Sequence, residues 1–330
     1  ALDEKRKEKL ALSCSVFADR IISAPDVESV YDIPLNFEKE GLSEKVCKTL
    51  GIKNKKSDEK LWSKWKAFVR HAHNGEKTVK IAVIGKYFET GDFVLSDSYL
   101  SVIEAIKYSS YAEGRKPVIS WLNAVDFEKD KNKLKELKKY DGVIVPGGFG
   151  SRGVEGKLNV VKYARENKIP YFGLCYGMQM MVIEYARNVL GYKDANTREV
   201  DPKSKHIVID IMESQKEILK NNSYGGTMRL GEYKAVLADG SIAKNAYGEK
   251  EIIERHRHRY EVSTEYIKEL EEKGLVFSGK SPNGMLMEIA ELPKKEHPFF
   301  LGAQFHPEFL AHPTSPHPLF TAFVKACVKK

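Results

Sequence analysis

Paired cysteines are what this sequence most plainly lacks. Its four cysteines, Cys14, Cys47, Cys175 and Cys327, stand far apart and form no CxxC, which argues against a disulfide framework or a zinc knuckle and fits a reducing, cytoplasmic setting. No apolar run approaches the roughly 18 residues that a membrane-spanning helix needs, so no membrane partner is expected. Neither sign of charge dominates: 54 Lys and Arg face 46 Asp and Glu, a net +8 spread over 330 residues. The one lysine-rich run, 129–139, is interrupted by Asp130 and Glu136 and carries the apolar stripe Leu134, Leu137 and Tyr140, so it reads as a solvated helix face and no nucleic-acid partner is expected. No leader peptide is expected at this opening either. The opening DEKRKEKLALSCSVF is too charged, and the first residue is Ala, so the sequence is expected to begin inside a longer protein. What is present is a globular composition, 42% hydrophobic and 30% charged, with length for about two domains.

HAHNGEKT at 71–78 has no apolar period and precedes the buried-strand run VKIAVIGKY, so a domain boundary is expected there, giving 1–76 and 77–330. Beyond it, strand-like runs at 79–84, 117–122, 142–145 and 171–174 alternate with helical patterns at 97–112, 129–139, 158–167 and 178–190. That alternation predicts an α/β fold with a mostly parallel central sheet and helices on both faces. After residue 200 the runs HIVIDIM, YKAVLAD, GLVFSG, MLMEIAEL and PFFLGAQF predict antiparallel additions to that sheet. Before residue 70, LALSCSVF reads as a strand, while FEKEGLSEKVCKTLGI and EKLWSKWKAFVRHA read as helices.

One motif misleads. GLVFSGKS at 274–281 matches the P-loop pattern GxxxxGK[ST], but Pro282-Asn283-Gly284 follows where a helix should start, so a hairpin is expected. The informative segment is IPYFGLCYGMQMMVIEYARNVLG, 169–191, in which Cys175 falls on a strand-to-helix turn flanked by Gly173 and Gly177. GxCxG is the thiol counterpart of the GxSxG nucleophile elbow, and unpaired amides at the helix start favour a negative charge. A thiolate nucleophile needs a base and a group to orient that base. FFLGAQFHPEF supplies a buried strand ending in His306, Pro307 and Glu308, a Cys/His/Glu triad in outline. DGVIVPGGFG, 141–150, breaks a buried strand into glycines and offers Gly148, with the Tyr176 amide, as oxyanion donors. In RHRHRY, 255–260, alternation puts Arg255, Arg257 and Arg259 on one face and His256, His258 and Tyr260 on the other. Two histidines without a third ligand make a weak metal site, so an arginine aimed at a substrate carboxylate is the better reading.

With these residues assembled, the sequence resembles the triad-type class I glutamine amidotransferases, and within them the CTP synthases. PGGFGSRGVEGK, GLCYGMQ with EYARNVLG, ANTRE, GGTMRLG, ERHRHRYEV and FHPEF follow in that family's order, and IISAPDVESVY with IPLNFEKEGL resembles the end of its synthetase domain. The resemblance implies Cys175 as nucleophile, His306 as base and Glu308 as its orienting partner. It implies glutamine binding by Gly148, by the backbone of Tyr176, Gly177, Met178 and Gln179, by Glu199 toward the α-amino group and by Arg259 toward the α-carboxylate. The loop of Phe149, Arg152 and Glu155 resembles the lid that answers the allosteric activator GTP. It further implies that 1–76 is a synthetase tail with a linker and that ATP, Mg2+ and UTP belong to a synthetase body outside these 330 residues. A homo-oligomer, tetrameric in the intact enzyme, is implied as well, with no metal in this domain. Two departures stand out: Tyr176 where the family usually has Leu, and ANTRE for ANSTE. The alternatives are a stand-alone γ-glutamyl hydrolase or other cysteine amidohydrolase of this fold, and a non-enzymatic nucleotide-sensing module.

Overall fold

The computed structural model describes residues 1–53, 59–75, 77–85, 89–90, 93–94, 99–211 and 228–329. The start of the helix expected from residue 97, the last residue of HIVIDIM and the GGT of GGTMRLG lie outside them. The chain divides into two compact units, Ala1–Asn74 and Gly75–Lys330.

The first unit is helical: α1 (Glu4–Cys14), α2 (Ile33–Lys39), α3 (Leu42–Leu50) and α4 (Glu59–Asn74). The expected strand over LALSCSVF is overturned, because 10–14 complete α1. Asp3 starts that helix upstream by accepting from the Arg6 amide at 2.8 Å, and the Glu, Lys, Ala and Leu that follow are good helix formers. Tyr31, Phe68 and Val69 form the small apolar centre of the unit, with the Tyr31 and Phe68 rings edge to face at 4.9 Å.

The second unit contains β1 (Lys77–Gly85), β2 (Glu89–Thr90), β3 (Phe93–Val94), α5 (Leu100–Ala112), β4 (Arg115–Asn123), α6 (Ala124–Lys129), β5 (Gly142–Val145), α7 (Val154–Glu166), β6 (Tyr171–Leu174) and α8 (Tyr176–Tyr185). It continues with β7 (Asn196–Thr197), β8 (Ile207–Ile211), β9 (Arg229–Leu237), α9 (Ile242–Tyr247), β10 (Glu251–His258), β11 (Tyr260–Val262), α10 (Thr264–Glu272), β12 (Val276–Lys280), β13 (Met287–Glu291), β14 (Phe300–Ala303) and α11 (Pro318–Val328). Nine strands make one sheet in the order β10-β9-β12-β13-β14-β6-β5-β1-β4. Its β14-to-β4 half is parallel and its other half antiparallel. Apolar side chains cover both faces, which accounts for the continuous apolar runs of the parallel strands.

Three expectations are corrected. PFFLGAQF is no antiparallel addition on both sides, since β14 is antiparallel to β13 but parallel to β6. HIVIDIM leaves the main sheet, because β8 pairs with β7 and β11 in a separate three-stranded sheet. The lysine-rich run is a 3-10 stretch, Lys131–Lys139, started by the Asp130 side chain and burying Leu137. The segment after Cys175 is α8 followed by a π turn, Ala186–Leu190, closed by Gly191 at φ 88°. The P-loop look-alike is a β12–β13 hairpin with Phe277 buried.

Candidate active site

Strand β6 runs straight into Cys175, which carries the chain into α8 with φ 49° and ψ −97°. A non-glycine residue in that region stores backbone strain and is held there by its surroundings. The Cys175 amide donates to the Ala303 carbonyl at 2.6 Å. A Cβ on Gly173 would stand 2.6 Å from the Gly177 carbonyl carbon, and one on Gly177 would stand 2.1 Å from the Val145 oxygen. Backbone, not side chain, blocks both positions, so the sharp turn exists only with glycine at each.

Strand β14 lies beside β6 with Gly302 opposite Gly173 and Ala303 opposite Leu174. Its continuation therefore brings Gln304, His306 and Glu308 to the same end of the sheet as Cys175. Pro307 opens a 3-10 turn, Pro307–Leu310, that folds Glu308 back onto His306. The Glu308 carboxylate meets His306 Nδ1 at 2.7 Å, and the imidazole lines the same cavity as the Cys175 side chain. Burial opposes charge on His306, but the neighbouring Glu308 carboxylate and Cys175 sulfur together outweigh it and hold its pKa well above the usual value. The ring is further fixed by Phe309, stacked at 5.0 Å and 15°, and by Gly147, where a Cβ would come within 2.8 Å of Cε1.

Gly148, Phe149, Cys175, Tyr176, Gln179, Glu199, Arg259, His306 and Glu308 line one cavity of about 770 Å³. Gly177 and Met178 are buried and outside its lining. Arg152 is exposed and Glu155 is paired with Arg187 at 2.9 Å, both away from the cavity wall. Glu199 accepts from the Gly150 amide at 3.0 Å, and the Tyr176 hydroxyl donates to the Gly150 carbonyl at 2.8 Å, so two lining residues pin the glycine loop. The Gln179 amide donates to the Tyr260 carbonyl at 3.1 Å and to Gln304 Oε1 at 3.3 Å.

The strict alternation expected across RHRHRY holds only to His258. There β10 ends, and Arg259 falls in the bend before β11, so Arg257, His258 and Arg259 all reach the cavity. His256 Nδ1 and His258 Nε2 meet at 2.8 Å. Burial first, with the positive charges of Arg229 and His306 and, for His256, the neighbouring His258, pushes His256 down to about 2 and His258 down to about 3. Both rings are neutral at physiological pH and sit among Arg229, Glu261 and Glu288. Among the described residues, no group of three or more His, Cys, Asp or Glu could hold a metal ion.

Sequence reasoning passed over Gln304, whose amide lies 3.7 Å from the Cys175 sulfur, and over Gly147 and Lys157. For Gln304 the signal was present: a fully buried polar residue inside the apolar run FFLGAQF.

Strand, cysteine elbow, helix and a histidine–glutamate pair on the adjoining strand define a cysteine amidotransferase fold. The description Glutamine amidotransferase class-I matches residues 94–326, and the chain belongs to that family. A second description, CTP synthase N-terminus, matches residues 1–52. Among curated relatives, the CTP synthase of Halalkalibacterium halodurans is 43% identical over 327 residues, covering 99% of this chain and 59% of that protein. The CTP synthase of Methanocaldococcus jannaschii is 46% identical over 330 residues, covering 98% of this chain and 59% of that protein. The chain thus spans about three fifths of their length. Among solved structures, the Trypanosoma brucei CTPS glutaminase domain with bound acivicin is similar at TM-score 0.70 and 38% identity, over 77% of this chain and 95% of that one.

Proposed function

We propose that this chain is the glutamine-hydrolysing part of a CTP synthase, releasing ammonia from L-glutamine through a Cys175 thioester. The observation that carries the reading is the strained Cys175 turn on the same cavity lining as an imidazole whose Nδ1 is held by Glu308 at 2.7 Å. The Cys175 sulfur attacks the side-chain amide carbon of glutamine, and the oxyanion is received by the amides of Gly148 and Tyr176. His306, kept protonated by its neighbours, gives its proton to the departing ammonia. Water then attacks the γ-glutamyl thioester as His306 takes its proton, and glutamate leaves. Glu199 and Arg259 supply opposite charges for the two ends of a zwitterionic amino acid.

The ammonia is proposed to aminate UTP at the expense of ATP with Mg2+, on a synthetase body in the part of the relatives that this chain does not span. Residues 1–76 are proposed as the tail of that body with its linker, and 77–330 as the amidotransferase domain. GTP is proposed to act on the loop of Phe149, Arg152 and Glu155, where an exposed ring and an exposed guanidinium suit a purine triphosphate. The intact enzyme is proposed to be a cytoplasmic homotetramer.

Ammonia release from glutamine, followed with the wild type and Cys175→Ala, tests the reading. The expected outcome is turnover by the wild type, none by the variant, and covalent capture of Cys175 by acivicin. Unchanged turnover in Cys175→Ala would overturn it, and turnover of γ-glutamyl peptides in preference to glutamine would favour a stand-alone γ-glutamyl hydrolase.

A further inference from the structure

Lys157 is only 2% exposed, although it lies near the start of α7, where a cation opposes the helix dipole. Lysine is rarely buried to that extent, and this one is turned toward the glycine loop. Its ammonium lies 4.7 Å from the centre of the Tyr176 ring. It also lies 3.6 Å from where a Cβ on Gly148 would stand, a point that is 3.8 Å from Tyr176 Cδ1. The charge is therefore packed directly behind Gly148 and Tyr176, the two lining residues proposed above to receive the oxyanion, and Gly148 has no side chain to hold it off. A fixed positive charge behind two N–H donors strengthens the field where negative charge appears in the transition state and adds little to binding of neutral amide substrate. The loop in front of it is tied by Tyr176 and Glu199 to Gly150, so the donors cannot easily swing away from the charge.

We propose that Lys157 is a positioning residue of the oxyanion site, its buried ammonium acting through Gly148 and Tyr176 to favour the tetrahedral intermediate of glutamine hydrolysis. The inference rests on the hydrolase reading above. It is tested with Lys157→Met and Lys157→Gln, which remove the charge, and Lys157→Arg, which keeps it. Steady-state glutamine hydrolysis is measured for each, together with alkylation of Cys175 by iodoacetamide and the thermal midpoint. The neutral variants should lose roughly tenfold to a hundredfold in kcat, less than or comparable to deletion of a direct oxyanion donor, with KM changed less than about twofold. Lys157→Arg should recover most of that loss, and Cys175 should alkylate at the wild-type rate in all three. Unchanged kcat in a folded neutral variant overturns the inference while leaving the hydrolase reading intact. So does a parallel loss in kcat, KM and alkylation that Arg does not rescue, or failure of both neutral variants to fold, since Lys157 would then be structural. A wild type that does not hydrolyse glutamine sinks the hydrolase reading and this inference with it.

Discussion

His306 sits between Glu308 and Cys175, and together they favour its charged form more than burial opposes it. Because its folded pKa is raised, this contribution to stability is complete below the ordinary histidine value and is lost only as pH rises through the raised one. Replacing Glu308 by Gln removes the largest of the charge-favouring influences. The expected result is a kcat lower by roughly 10²–10⁴-fold and an imidazole that deprotonates at lower pH, read by rate profiles and by NMR of the ring. The elbow glycines are as exacting. Gly177→Ala would drive a methyl into the Val145 carbonyl, at 2.1 Å, so loss of soluble protein or of all glutamine turnover is expected, checked by thermal melting and by ammonia release. At this scale the sequence was readable: GxCxG and HPE carry their own local geometry. Lys157 was not readable, because its importance comes from what lies across the fold from it, and Gln304 gave only the mark of a polar letter inside an apolar run.

Helices α7 and α8 are tied by Arg165, whose guanidinium meets Glu184 at 2.9 and 2.7 Å. Glu184 is fully buried, and burial raises its pKa against the pull of Arg165. Arg165→Met should destabilise by roughly 3–5 kcal/mol in urea unfolding, and adding Glu184→Met should restore most of it, since an orphaned buried charge costs more than a missing pair. The turn before β14 is fixed by His297, which donates from Nε2 to the Ala164 carbonyl at 3.2 Å and accepts the Phe299 amide at Nδ1 at 3.3 Å. Only a neutral ring can do both, and burial pushes its pKa down to about 4. Between that value and the ordinary histidine range the unfolded chain binds more protons. Stability from this residue therefore falls as pH falls, by up to about 1.4 kcal/mol per pH unit. The wild-type advantage over His297→Gln should shrink across that window and stay constant above it. Elements with apolar runs and capping signals, such as β5 and β6, matched their expected bounds. LALSCSVF did not, because its alternation of apolar and polar letters is also compatible with the helix that Asp3 begins upstream. The parallel pairing of β14 with β6 was unreadable, since strand direction within a sheet is set by partners far away in sequence.

At the scale of the whole molecule, the candidate site is confined to the second unit: every cavity-lining residue lies between Tyr99 and Phe309. Residues 75–330 expressed alone should therefore fold and hydrolyse glutamine with kcat within about twofold of the full chain, as a domain with its own core can. A much larger loss would mean that the first unit shapes the site. The change in character after residue 200 was visible in the sequence, whereas the departure of β8 to a second sheet was not, because a short apolar strand does not declare which neighbour it joins. The neighbouring placement of β6 and β14 also bears on how the protein is made. A growing chain exposes the Cys175 segment long before the strand that carries His306 and Glu308 has been synthesised. Until that strand slots in beside it, the cysteine lacks the proposed base and the carboxylate that orients it, so a ribosome-bound or prematurely ended chain is expected to release no ammonia. On the proposed reading, insertion of one late strand acts as a completeness check, because Cys175 meets His306 only when the sheet around it is whole.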